Sequence, residues 1–87
     1  MGERKNAGYM IIQSMMVGNA EFVLGHREGA MTPYVTWECK DGNNYFWGHY
    51  FMERHQAVRD LLERCNLELI AQDRIRENQK KREECER

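Results

Sequence analysis

Tyr34-Val-Thr-Trp-Glu-Cys-Lys-Asp-Gly-Asn-Asn-Tyr-Phe-Trp-Gly-His-Tyr-Phe51 carries both tryptophans, three of the four tyrosines and two of the three phenylalanines of an 87-residue chain. Two runs of aromatic and β-branched residues flank Asp41-Gly42, a pair suited to the positive φ angles of a tight turn, so the stretch reads as a β-hairpin. Val35, Trp37 and Cys39 alternate with Tyr34, Thr36 and Glu38, and across the turn Phe46, Gly48 and Tyr50 alternate with Tyr45, Trp47 and His49. A two-residue loop sets Trp37 opposite Phe46; a four-residue loop reaching Asn44 sets it opposite Gly48. The two loops differ by an even step, so both divide the faces in the same way. Val35, Trp37 and Phe46 are assigned to the core, and Gly48 to a bulge or close approach covered by the Trp37 ring.

Before this hairpin, Tyr9 to Val17 is rich in Ile and Met and too short for a helix between its glycines, and it reads as a strand. Gly18-Asn19 supplies a two-residue turn of the glycine-first type, and Ala20 to Gly25 follows as the second strand. That loop sets Val17 opposite Ala20, Met15 opposite Phe22 and Gln13 opposite Leu24. Ile11, Met15, Val17, Phe22 and Leu24 then share one face, and Met10, Ile12, Met16, Glu21 and Val23 the other. His26 to Pro33, with Gly29 and the only proline, links the two hairpins.

From Met52 the period becomes helical. Val58, Leu61, Leu62, Cys65 and Leu69 recur at three- and four-residue steps, with Arg54, Arg59, Glu63 and Arg64 away from them. Leu67 and Ile70 leave that stripe, and Asn66 can stop one helix or cap another, so a kink or break is expected there. The expected architecture is α+β: a four-stranded antiparallel meander of two hairpins, then an amphipathic helix packed on one face. Residues 1–8 read as a flexible leader, 9–75 as one domain and 76–87 as a charged, helical or frayed tail. The expected core is Phe22, Leu24, Val35, Trp37, Phe46, Val58, Leu61 and Leu62.

Composition narrows the partners. Lys plus Arg number 13 against 14 Asp plus Glu, a formal charge of -1, so no overall field recommends nucleic acid or an anionic membrane. Three widely spaced cysteines, Cys39, Cys65 and Cys85, argue against a disulfide framework and for a reducing, cytoplasmic compartment. The N-terminus lacks the apolar run of a signal peptide, Asn6 breaks the myristoylation pattern, and no stretch has the length of a membrane span. No membrane partner is expected.

Chemistry is weakly signalled. His49, His55, Cys39 and Cys65 are zinc-ligand types, but no Cys-x-x-Cys or His-x-x-x-His spacing pre-assembles two of them, and neither a metal nor another cofactor is expected. Cys39 and His49 fall on opposite faces and Cys65 on the buried helix stripe, so no nucleophile stands beside a base and no enzyme is expected. The sharper inference concerns the sheet. One helix covers one face, while Met10, Ile12, Met16, Val23, Tyr34, Thr36, Tyr45, Trp47 and His49 would form an apolar and aromatic patch on the other. Such a patch requires a cover: a second copy of the chain, another protein, or the segment after Asn66. The alternative is a stacking platform for single-stranded nucleic acid built on Tyr34, Tyr45 and Trp47.

Across Val35 to Phe51, together with Val17-Gly-Asn-Ala-Glu-Phe-Val-Leu-Gly25, the chain resembles a family of small uncharacterised proteins carried on conjugative transposons of Clostridium-like gut bacteria. The resemblance spans most of residues 9 to 65 and implies an accessory role for a mobile genetic element in a bacterial cytoplasm. It carries no catalytic or binding residues with it. The expected function is a non-enzymatic interaction module acting through the aromatic face of its sheet.

Overall fold

Five antiparallel strands in simple meander order precede one long helix in the computed structural model, which describes residues 4–85 and side chains through residue 76. The strands are β1 Lys5–Asn6, β2 Tyr9–Val17, β3 Ala20–His26, β4 Tyr34–Lys40 and β5 Asn44–Phe51, and the helix is α1 Arg54–Cys85. The α+β class and the antiparallel sheet agree with the sequence reading; the strand count does not. The fifth strand is β1, drawn from residues assigned to a flexible leader. Ala7 and Gly8, at φ 53° and 85°, make the tight turn that folds Lys5 onto Met10 and Asn6 onto Tyr9, and Ile11 donates its backbone N–H to the Arg4 carbonyl at 2.8 Å. An alanine at positive φ gives no turn signal in sequence. The rest of that leader, residues 1–3, lies outside the described residues.

The first long hairpin has the expected register, with Val17 against Ala20, Met15 against Phe22 and Gln13 against Leu24, and Gly18 at φ 60°. A bulge at Ile12 then shifts the pairing, so that Ile11 meets Gly25 and moves to the other face. The second hairpin departs from both expected loops. Lys40 pairs with Asn44, leaving a three-residue loop with Asp41 and Gly42 at positive φ, and this odd step puts Tyr45 opposite Cys39 and Phe46 opposite Glu38. A bulge at Trp47-Gly48, facing Trp37, restores the parity, and beyond it Thr36 meets His49 and Val35 meets Tyr50.

The registers between strands build two cores rather than one. Phe22 pairs with Glu38 and Leu24 with Thr36, so Phe22 and Leu24 lie on the opposite face from Val35 and Trp37. On the helix side, Phe22 and Leu24 pack with Ala57, Leu61 and Cys65, flanked by Met15, Val17, Tyr34, Phe51 and Val58. On the far side, Tyr9, Val23, Val35, Trp37 and Cys39 form a second buried cluster with Ile11 and Tyr45 against it. The single expected core is therefore divided between two faces. Phe46 is only half-buried, and Leu62 is 53% exposed.

The second face needs no separate element to bury its centre, because the sheet curls into a half-barrel. Across a flat sheet β2 and β5 would lie three strand spacings apart, about 14 Å, yet the Tyr9 and Tyr50 rings meet edge to face with centroids 6.0 Å apart. Trp37 completes a three-ring cluster with them, 5.8 Å from Tyr9 and 6.5 Å from Tyr50. Two glycines make room for it. A methyl group on Gly25 would stand 3.0 Å from Val35 and 3.1 Å from both Trp37 and Tyr9, and one on Gly48 would stand 2.7 Å from the Trp37 indole nitrogen.

Helix α1 runs through Asn66 without the expected break. Neither Gly nor Pro follows Asn66, and Leu67, Glu68 and Leu69 are good helix formers that outweigh its modest preference for a terminus. Ala57, Leu61 and Cys65, at four-residue steps, lie on the sheet, and Gln72 extends the contact by donating to the Val17 carbonyl at 2.8 Å. At about 1.5 Å per residue, the helix carries on well past the sheet; Asp73 to Arg76 are exposed and the helix continues to Cys85. No helix among the described residues is long and apolar enough to cross a membrane.

These contacts set distinct costs. Trp37→Ala should lose about 3–5 kcal/mol in chemical denaturation and Gly25→Ala about 1–3 kcal/mol by overpacking, whereas Leu62→Ala should stay within about 0.5 kcal/mol of the parent.

Candidate functional site

The bulge on β5 decides which aromatic faces outward. Trp37 occupies the space over Gly48, so the extra residue of the bulge, Trp47, takes a left-handed conformation at φ 54° and leaves its ring 70% exposed. A bulky residue at positive φ is uncommon, and here the surroundings hold it. Arg64 of α1 donates to the Trp47 carbonyl through Nη2, and the Phe46 ring stands edge to face with the indole at 4.9 Å. Between Trp47 and the helix runs an open groove of about 380 Å³, lined by Phe22, Glu38, Trp47, His49, Arg64, Leu67 and Glu68.

Asp60 pins the inner end of this region. Its carboxylate accepts a hydrogen bond from Thr36 Oγ1 at 2.5 Å and from Arg64 Nε at 3.1 Å, and the His49 Nδ1 atom lies 3.1 Å from Oδ2. Burial alone would raise the Asp60 carboxyl, but the hydrogen bonds from Thr36 and His49 and the positive charges beside it outweigh that effect and hold it below its ordinary value. One carboxylate thus joins β4, β5 and α1, and it satisfies the fully buried Thr36 hydroxyl.

A second polar cluster closes the mouth of the curl. Arg4 makes a two-pronged pair with Glu21, at 2.7 and 3.2 Å, donates to the Tyr45 hydroxyl at 3.0 Å, and sits 5.5 Å from the centre of the Tyr45 ring. Ser14 donates to the same glutamate. The hydrogen bond from Arg4 leads in holding Glu21 below the ordinary carboxylate range. Arg4 Nη2 also approaches Cys39 Sγ at 3.3 Å, yet burial and the Glu21 charge push the Cys39 thiol upward. Burial does the same to Cys65, whose sulfur lies 3.9 Å from that of Met15. Thiols held protonated are poor nucleophiles.

The structure distributes the proposed interface residues over several surfaces. Val23 is fully buried and Tyr45 half-buried in the Trp37 cluster. Thr36 is buried on the helix side, where Tyr34 packs beside His26 at 4.8 Å between ring centroids. His49 is on that side too, exposed beside Asp60. Met10, Ile12 and Met16 are exposed on β2, and Trp47 stands at the bulge. Tyr34, Tyr45 and Trp47 therefore share no common stacking face. The odd loop explains Tyr45, and the β3–β4 register explains Val23, Tyr34 and Thr36. The zinc-ligand types are equally dispersed: Cys39 faces the curl, Cys65 the helix core, His49 meets Asp60 and His55 meets Glu53 at 3.4 Å. Among the described residues no three His, Cys, Asp or Glu side chains converge on a point that could hold a metal ion.

Arg4, Asp60 and Arg64 are not among the site residues expected from the sequence. The four-residue step from Asp60 to Arg64 was the available signal for the latter two; nothing in sequence marks Arg4. Comparison with protein-family models, characterised proteins and solved structures finds no match to this chain.

Since the folded Asp60 carboxyl titrates below its ordinary value of 3.8, its contribution to stability is complete above that value and is lost as the pH falls through the lower folded one. Asp60→Asn should therefore flatten the acid limb of a stability-against-pH profile. An unchanged acid limb would mean that the Asp60 cluster carries no such linkage.

Proposed function

We propose that this chain is a non-enzymatic interaction module that docks another protein through the surface around Trp47, between β5 and α1. The observation that carries the reading is Trp47 itself, held at φ 54° by the bulge with its indole 70% exposed beside the Phe22–Leu67 groove. Exposed tryptophans fixed next to a concavity are the side chains around which protein interfaces concentrate their affinity. The groove mixes an apolar floor with Glu38, Glu68 and Arg64 at its walls, a composition suited to a protein segment with both apolar and charged groups. The resemblance to transposon-borne proteins supports placing this activity in a bacterial cytoplasm, in an accessory role for a mobile genetic element.

Single-stranded nucleic acid has less support as a partner, since Tyr34, Tyr45 and Trp47 occupy different surfaces and the chain carries a formal charge of -1. A photo-crosslinking amino acid at position 47, introduced in the host cell, should give a discrete protein adduct that is absent when the probe is moved to position 41. Titration with labelled single-stranded DNA and RNA should show no salt-sensitive binding. Salt-sensitive oligonucleotide binding abolished by Trp47→Ala, with no protein adduct, would overturn the reading.

A further inference from the structure

Helix α1 lays Ala57, Leu61, Cys65 and Gln72 towards the sheet, and at 3.6 residues per turn the positions on its far side include Glu63, Leu67, Ile70 and Arg74. All four are exposed, Leu67 by 59% and Ile70 by 41%. Among the described residues neither Glu63 nor Arg74 enters an ion pair within the chain. A far side meant only for water would carry polar groups at the two central positions.

We propose that this ridge binds a second copy of the chain, helix against helix and antiparallel. The order of the four residues selects both partner and direction. About a two-fold axis passing between Leu67 and Ile70, each Leu67 meets the other copy's Ile70, and each Glu63 meets the other copy's Arg74. One apolar centre and two opposite-charge contacts form together. A parallel pair would set Glu63 beside Glu63 and Arg74 beside Arg74. The two sheets lie on the outer sides of such a pair, so neither obstructs it. The proposal rests on the reading of the chain as an interaction module and names one partner for it. With two large apolar side chains from each copy at its centre, the contact forms a concentration-dependent dimer rather than an obligate one.

Sedimentation of the full chain over a range of concentrations tests this. The parent should show a monomer–dimer equilibrium. Glu63→Arg alone and Arg74→Glu alone each oppose like charges and should raise the dissociation constant by about tenfold, while the double exchange, Glu63→Arg with Arg74→Glu, should restore it. Circular dichroism confirms that each variant is folded. A parent that is monomeric throughout overturns the dimer, as does a single exchange without effect or a double exchange that fails to recover. The two readings separate cleanly: a monomeric parent with a position-47 adduct to a different protein removes the self-pairing and leaves the module, whereas a dimer with the expected charge pattern and no position-47 adduct removes the Trp47 surface and leaves the helix pairing.

Discussion

The space required by one indole ring organises this domain. Trp37 is nearly fully buried on the concave side of the sheet, packed against both Tyr9 and Tyr50 and seated over Gly25 and Gly48. Any side chain at those two glycines would collide with it or its neighbours, and the curl that brings β2 towards β5 is the shape that surrounds it. The same demand produces the bulge opposite, because Gly48 must face the ring and the pairing has already been set one step out of phase by the three-residue loop. Trp47 is the residue the bulge expels. One tryptophan buried and the other displayed are thus two consequences of a single packing constraint.

Both bulges serve a further purpose. Among the described residues β2 has an open side beyond its short pairing with β1, and β5 ends the sheet, so each presents backbone groups that could recruit another strand. The bulge at Ile12 interrupts the first and the bulge at Trp47-Gly48 the second. Irregularity at sheet edges is a common protection against strand addition. Such edges are poorly suited to extension of the sheet by a further strand.

Much of this was legible in the residues. Gly18-Asn19 announced the first hairpin and its register, and Gly48 under an aromatic ring was readable as a close approach. The Val58–Leu61–Cys65 spacing announced the helix. What was not legible depends on parity. A two- and a four-residue loop agree about faces, but the three-residue loop at Asp41 reverses Tyr45 and Phe46, and only the bulge returns His49 and Tyr50 to their expected sides. The pairing of β3 with β4 has no tight turn to fix it, so the placement of Phe22 relative to Trp37 could not be derived and two cores were read as one. Strand β1 was invisible because its turn uses Ala7, and Asp60 and Arg64 look like ordinary charges on a solvated helix until Thr36 and the Trp47 carbonyl are found beneath them.

The curl around Trp37 is tested most directly by an aromatic NOESY spectrum of the folded chain. Cross-peaks from the Trp37 indole to the Gly48 α-protons and to the Tyr9 and Tyr50 rings are predicted together, with none from the Trp47 indole to either tyrosine. Cross-peaks joining Trp37 to Phe22 and Leu61 instead would place Trp37 under the helix and contradict the two-sided core from which the exposed Trp47 surface follows.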